Sequence, residues 1–298
     1  MRLIEPIEIT DAVVTDSNVP EDDHPEWSDS TAYEAGDRVI SLTTHRRYEA
    51  IQPSTDVDPT TDDGTTWLDL GATARWSVFD RRVGTVASQA SPIHYQLTLP
   101  RPARGLALLA MSGVTARVRV TDTVDGVVYD ETFDLIDNSV VVDAWTYCFE
   151  PFAFQRQIAL FDVPGATGSE VDIWIAGPST VELGQIVVGN VREIGTMIVG
   201  TTSGIIDFSR KDRDEFGNAQ IVERAFVDRV TFQIALSARG VAQAKAAIAR
   251  NRARATIWSG GEGTDEFGTT VYGFYRDLTI DLVSDGIAYA SLEVEGLV

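Results

Sequence analysis

Apolar and polar residues alternate with a period of two through most of residues 88–194. Ile93, Tyr95, Leu97 and Leu99 are interleaved with His94, Gln96 and Thr98, and Ala116, Val118 and Val120 with Arg117, Arg119 and Thr121. Alternation of this kind predicts strands with one buried face. The unbroken apolar run 106–111 predicts a strand covered on both sides. Asp125-Gly126 supplies a hairpin turn ahead of residues 127–133, and strands over 171–175 and 183–188 are separated by Gly177-Pro178. With no helical period in it, this region predicts an antiparallel, jelly-roll-like sandwich.

Residues 195–298 read differently. Val230, Phe232, Ile234 and Leu236 alternate and then run into the one convincing helical stretch, residues 237–254. Ser237 can cap its first turn, alanines dominate up to Ala249, and Val241, Ala244 and Ile248 share one face. Strands are predicted over 205–208 and 222–227 around a charged loop, 210–215, and again at 256–258. Leu278, Ile280 and Leu282, a turn at Asp285-Gly286, and Leu292 and Val294 predict a closing hairpin. Asp214-Glu215-Phe216-Gly217 recurs as Asp265-Glu266-Phe267-Gly268, and both read as hairpin turns with an anchoring Phe. The expectation is an α+β sheet with one packed helix.

The N-terminal part divides into three. Residues 1–26 are acidic and irregular and read as an extended arm, with Ile4, Ile7, Ile9 and Val13 available to lie on a neighbouring surface; a loosely ordered tail is the other reading. Residues 27–70 form a small three-stranded aromatic module, with strands over 38–42 and 47–51. Residues 71–87 are a linking bridge whose Trp76 and Phe79 plug a seam. The whole chain is therefore expected to be mainly β.

Composition narrows the chemistry. Acids outnumber bases by 45 to 24 over 298 residues, a formal net charge of -21, so wrapping a nucleic-acid backbone is disfavoured. No apolar run is long enough to span a membrane, and the N-terminus lacks the apolar stretch of a secretory signal, so no membrane insertion is expected. The single cysteine, Cys148, lies among Trp145, Tyr147 and Phe149 and reads as a buried small apolar residue. His24, His45 and His94 are too scattered for an ordinary zinc site, and no nucleophile elbow or P-loop is present. No catalytic residue and no cofactor are expected. Asp56, Asp58, Asp62 and Asp63 form a weak calcium candidate whose spacing fails the EF-hand pattern.

Two surfaces stand out as candidates. Arg239, Lys245, Arg250, Arg252 and Arg254 give the helical stretch five positive charges and no acid, an assembly face for an acidic partner; solvation with helix-dipole matching is the alternative. Trp27, Tyr33, Tyr48, Trp67 and Trp76 are carbohydrate-binding candidates, because a sugar's C–H face stacks on aromatic rings. In a module this small the same rings also serve as core.

The order Trp27, Tyr33, Gly36-Asp37, Val39, Tyr48, Pro59 and Trp67 resembles that of small chitin-binding-type carbohydrate modules. Residues 43–47 depart from the short turn usual there. The segment 181–189 resembles the end of a galactose-binding-like jelly roll. Over nearly its full length the chain resembles tail proteins of tailed bacteriophages and prophages. That similarity is carried by residues 1–6 and 17–21, the module, residues 67–80 and 90–93, and residues 272–277 and 292–297. The resemblance implies a virion protein of the tail tip or baseplate, assembled in the host cytoplasm. Its implied partners are other tail proteins, further copies of itself and host-surface glycans. A free glycan-binding lectin, or an accessory module of a polysaccharide-degrading enzyme, is the alternative.

Overall fold

Leu3 and Ile4 are adjacent in sequence, and both are fully buried. Neighbouring side chains of a strand point to opposite faces, so the strand Arg2–Pro6 must be covered on both sides. The computed structural model describes residues 1–82, 84–137, 142–149, 153–213, 215–261, 268–282 and 286–297, and in it this strand lies in the middle of the largest sheet. It pairs antiparallel with Gln185–Glu193 on one side and with Thr256–Ser259 on the other. The arm expected over residues 1–26 thus supplies a central strand. It also supplies Val14–Ser17, at the edge of a second sheet.

The large sheet is ten-stranded. Its order is Ile158–Leu160, Gly105–Leu109, Gln185–Glu193, Arg2–Pro6, Thr256–Ser259, Val271–Leu282, Ile287–Gly296, Phe226–Ser237 and Thr196–Met197, with Thr202–Asp207 also on Phe226–Ser237. Every pairing in it is antiparallel. The sheet therefore runs across the boundary expected at residues 194–195. At one end it faces a five-stranded sheet ordered Gly126–Asp134, Thr115–Asp122, Glu170–Ala176, Ile93–Thr98 and Val14–Ser17. Between the two lies a core that includes Tyr95, Leu97, Val118 and Ile173 from the smaller sheet and Leu106, Leu108, Ile186 and Val188 from the larger.

At the other end a second core is closed by the helix. Ser237 accepts a hydrogen bond from the Gly240 N–H at 3.1 Å and starts a 3₁₀ turn, Ala238–Gly240, that leads into the helix Val241–Arg250. Ala244, Ala247 and Ile248 pack against Phe232, Ile234, Leu236, Leu292 and Val294. Residues 252–254 lie beyond the helix, which ends at Arg250. Leu3 joins this helix-side core, Ile4 joins a cluster with Val187, Ile257 and Tyr272 on the opposite face, and Ile7 reaches the sandwich core. One short segment thus touches every large apolar cluster of the body. Glu5 adds polar ties, accepting from Asn251 Nδ2 at 3.2 Å and from Arg192 Nε at 3.2 Å.

The small module has the three strands expected, ordered Arg38–Ser41, Arg46–Ala50 and Trp67–Ala72. Elsewhere the structure corrects several local expectations. Arg210–Arg213, within the expected charged loop 210–215, is not open: it pairs with Ala219–Val222 as a hairpin. Phe216 at its tip is 89% exposed and anchors no core. Residues 265–267 and Asp285 of the other expected turns lie outside the described residues. The region read as wholly β contains a short helix, Ala144–Phe149, and Cys148 upon it is exposed, not buried. A run of apolar residues signals burial only when something covers it, and here Trp145 and Phe149 lie against each other, tilted at 35° with ring centres 4.2 Å apart, while both face solvent.

The N-terminal strand makes a direct stability prediction. Gly189 faces Pro6 across the ladder, and a Cβ there would stand 2.0 Å from the Glu5 carbonyl oxygen. Gly189→Ala is expected to lower the thermal midpoint by displacing this strand. Leu3→Ala is expected to cost about 2–5 kcal/mol in denaturant titration, the range for truncating a fully buried Leu.

Candidate functional site

The candidate sugar platform folds inward. Tyr33, Tyr48 and Trp67 are buried together with Val39 and Ala50, and Trp27 packs partly against them. Tyr33 meets Trp67 edge-on at 5.2 Å, the Trp67 indole donates to the Val57 carbonyl at 2.9 Å, and the Tyr33 hydroxyl accepts from the Ser28 N–H at 2.8 Å. These contacts make the three rings the core of the module and leave no ring face for a sugar to stack on. Trp76 is placed elsewhere. It packs against the sandwich core, is stacked with His45 at 4.1 Å and meets Phe79 edge-on at 5.7 Å, at the wall of an open cleft.

Three of the four acids of the calcium candidate serve their own loop instead of converging. Asp58 accepts from the backbone and hydroxyl of Thr60, and Asp63 from the Thr65 N–H. Asp62 accepts from the backbone N–H groups of Gly64, Thr66 and Trp67 at 2.9–3.0 Å. Those amides, Trp67 foremost, hold the Asp62 carboxyl below the usual carboxylate range. Asp56 has a positive φ of 59°. Among the described residues no group of three or more His, Cys, Asp or Glu side chains is placed to hold a metal ion.

Arg239, Lys245, Arg250, Arg252 and Arg254 are all exposed. Arg250 comes within 3.9 Å of Glu5; among the described residues the other four form no ion pair. Four cations without an ion pair among the described residues thus lie between residues 239 and 254 of a chain of net charge -21.

A second surface lies in the same C-terminal half, and it is the more unusual one. Thr202–Asp207 pairs with the start of Phe226–Ser237, and beyond that pairing Arg210–Arg213 and Ala219–Val222 pair, among the described residues, only with each other. Nearly every described residue from 202 to 226 is exposed. Ile205, Phe208, Ile221, Val222 and Phe226 are among them, Ile221 at 66% and Phe226 at 59%. Lys211 and Ser209 bind Asp207 at the base of this ribbon and hold its carboxyl far below the usual range.

A third feature was hidden from the sequence. On the outer face of the five-stranded sheet the register sets Arg117, Trp174 and His94 side by side, with Arg119 and Asp172 in the next row. Both guanidinium groups lie over the Trp174 ring, at 5.2 and 5.0 Å, and His94 stacks on it at 4.9 Å. Asp172, 2% exposed, accepts from Arg119 Nη2 at 2.8 Å and lies 3.1 Å from His94 Nε2, while Arg117 pairs with Asp130. The charged groups are matched within the cluster and the indole is flanked, so the arrangement stiffens the sheet rather than presenting a binding site. The alternation of Arg117 and Arg119 marks a strand but not which residues oppose it.

No protein-family model, no curated protein and no solved structure matches this chain. No helix among the described residues is long and apolar enough to cross a membrane.

Asp62 yields a pH prediction. Its folded pKa is depressed, so its stabilisation is complete above the unfolded value and is lost as pH falls through the lower folded value. The amide resonances of Gly64, Thr66 and Trp67 are expected to titrate together with a midpoint below 3.8, the ordinary Asp value. That shared titration should vanish in Asp62→Asn.

Proposed function

We propose that this chain is a structural subunit of an assembled particle, a tail-tip or baseplate protein of a tailed bacteriophage that docks through its C-terminal half. The observation that carries the reading is the ribbon over residues 202–226, two-stranded at its tip and rich in exposed apolar side chains. An isolated two-stranded hairpin is marginal in water, and exposed apolar side chains gain stabilisation only once covered. We assign the cover to a neighbouring copy of the chain. Charge supports this occupant: Arg239, Lys245, Arg252 and Arg254 are unpaired among the described residues on an otherwise strongly acidic molecule, so an acidic surface of a second copy complements them. The virion location rests on the resemblance of the opening, bridging and closing segments to tail proteins. Contact with host-surface glycans belongs to the same reading. The free-lectin alternative loses its main support, since Tyr33, Tyr48 and Trp67 are core residues.

The test is incorporation. In the source strain, the full chain should be found in density-purified tailed particles. A variant with residues 209–224 replaced by Asn-Gly should remain folded and soluble but stay out of them. Absence of the full chain from particles, or equal incorporation of the shortened chain, would contradict the reading.

A further inference from the structure

Three segments far apart in sequence meet beside the small module. Residues 9–12 follow the N-terminal strand, residues 44–46 form part of the module's first hairpin, and residues 72–80 include the bridge to the sandwich. Together they line an open cleft of about 480 Å³, within the ~300–1,000 Å³ range of small-molecule sites. One wall is apolar, made by Ile9, Trp76 and Phe79; Thr10, Asp11, Thr44 and Arg46 supply polar groups.

The cleft is braced from beneath. His45 has a positive φ of 54°, and its ring nitrogens lie 2.8 Å from Glu21 and 2.8 Å from Asp11 while it stacks on Trp76. Glu21 is in turn fixed by the Thr73 hydroxyl at 2.8 Å. This frame uses one oxygen of Asp11 and leaves Oδ2 without a partner among the described residues. Arg46 binds Asp69 through Nη2, and its Nε is buried. The hydroxyl of Thr10 is also unengaged among the described residues. The cleft thus combines a hydrocarbon and aromatic wall with a free carboxylate oxygen of Asp11 and the Thr10 hydroxyl.

We infer that this cleft, and not the aromatic face of the small module, is a saccharide site, and that it takes a neutral pyranose. A pyranose ring presents C–H groups to an apolar wall and hydroxyls that can donate to Asp11 and exchange hydrogen bonds with Thr10. In the lining Asp11 and Asp80 stand against Arg46, which is already paired with Asp69, and this balance disfavours an anionic sugar. The inference rests on the proposed role in host-surface contact and locates it.

The test is calorimetric titration of the full chain with short neutral oligosaccharides of glucose, galactose, mannose and N-acetylglucosamine, and with sialyllactose and oligogalacturonate as acidic probes. Binding of at least one neutral sugar is expected. Asp11→Ala should weaken it about tenfold, the loss of one charge-assisted hydrogen bond, and Ala12→Trp, which fills the cleft from an exposed position, should abolish it. Trp145→Ala, in a separate exposed aromatic pair, should leave binding unchanged. Overturning results are no binding of any neutral probe, binding confined to the acidic probes, or binding that survives Ala12→Trp. Ala12→Trp also separates the two readings: if it and the wild-type chain both enter particles and neither binds a sugar, this inference fails while the assembly reading stands.

Discussion

The whole body depends on five residues being held between two strands that are far away in sequence. Arg2–Pro6 hydrogen-bonds to Gln185–Glu193 and to Thr256–Ser259, and so closes what would otherwise be two open sheet edges. Without it, the sandwich part and the helix-covered part would each end in unpaired N–H and C=O groups, and Leu3 and Ile4 would leave gaps in clusters on opposite faces. The demand is steric as well as polar. Gly105 and Gly189 lack the Cβ atoms that would collide with Ile4 and Glu5, so the neighbouring strands are shaped for this one. The pairing is also non-local: residues 2–6 cannot find either partner until most of the chain has been made, which favours late consolidation of the two cores.

A body closed in this way makes its unclosed parts informative. The tip of the ribbon, Arg210–Arg213 on Ala219–Val222, has among the described residues neither the third strand nor the covering layer that the other long strands have. The contrast within one strand is sharp: Phe226–Ser237 begins exposed at Phe226 and then buries Val230, Phe232, Ile234 and Leu236 beneath the helix. The same physics that buries the latter residues leaves the ribbon short of a partner. The basic helix face has a comparable shortage, in charge rather than in apolar cover. Both deficits belong to the C-terminal half, while the junction cleft lies beside the small module. This division is consistent with one part that assembles and another that meets ligand.

What could be read in the sequence was what leaves a period. Ile93 to Leu99, Ala116 to Val120 and Val230 to Leu236 alternate because one face of each strand is buried, and the helix showed itself through Val241, Ala244 and Ile248. Arg2–Pro6 left no period because both faces are covered over only five residues in an acidic stretch, so it resembled a tail. Arg210–Arg213 left none because neither face is covered, and four charged residues in a row look like a loop. Trp67 and Tyr33 carried a motif that fits both core and platform, and only packing distinguishes them. The Trp174 cluster depends on register, and the cleft on three segments meeting in space; neither is written in any local stretch of sequence.

Hydrogen exchange of the dilute, full-length protein tests the central claim most directly, because it reads the closed strand and the unpartnered ribbon in one measurement. The amides of Leu3 to Glu5 are expected to exchange with the slowest class, together with those of Gln185–Glu193 and Thr256–Ser259. Residues 208–224 are expected to exchange among the fastest. Rapid exchange at Leu3 to Glu5 while the flanking strands stay protected, or strong protection of the ribbon in the isolated chain, would contradict it.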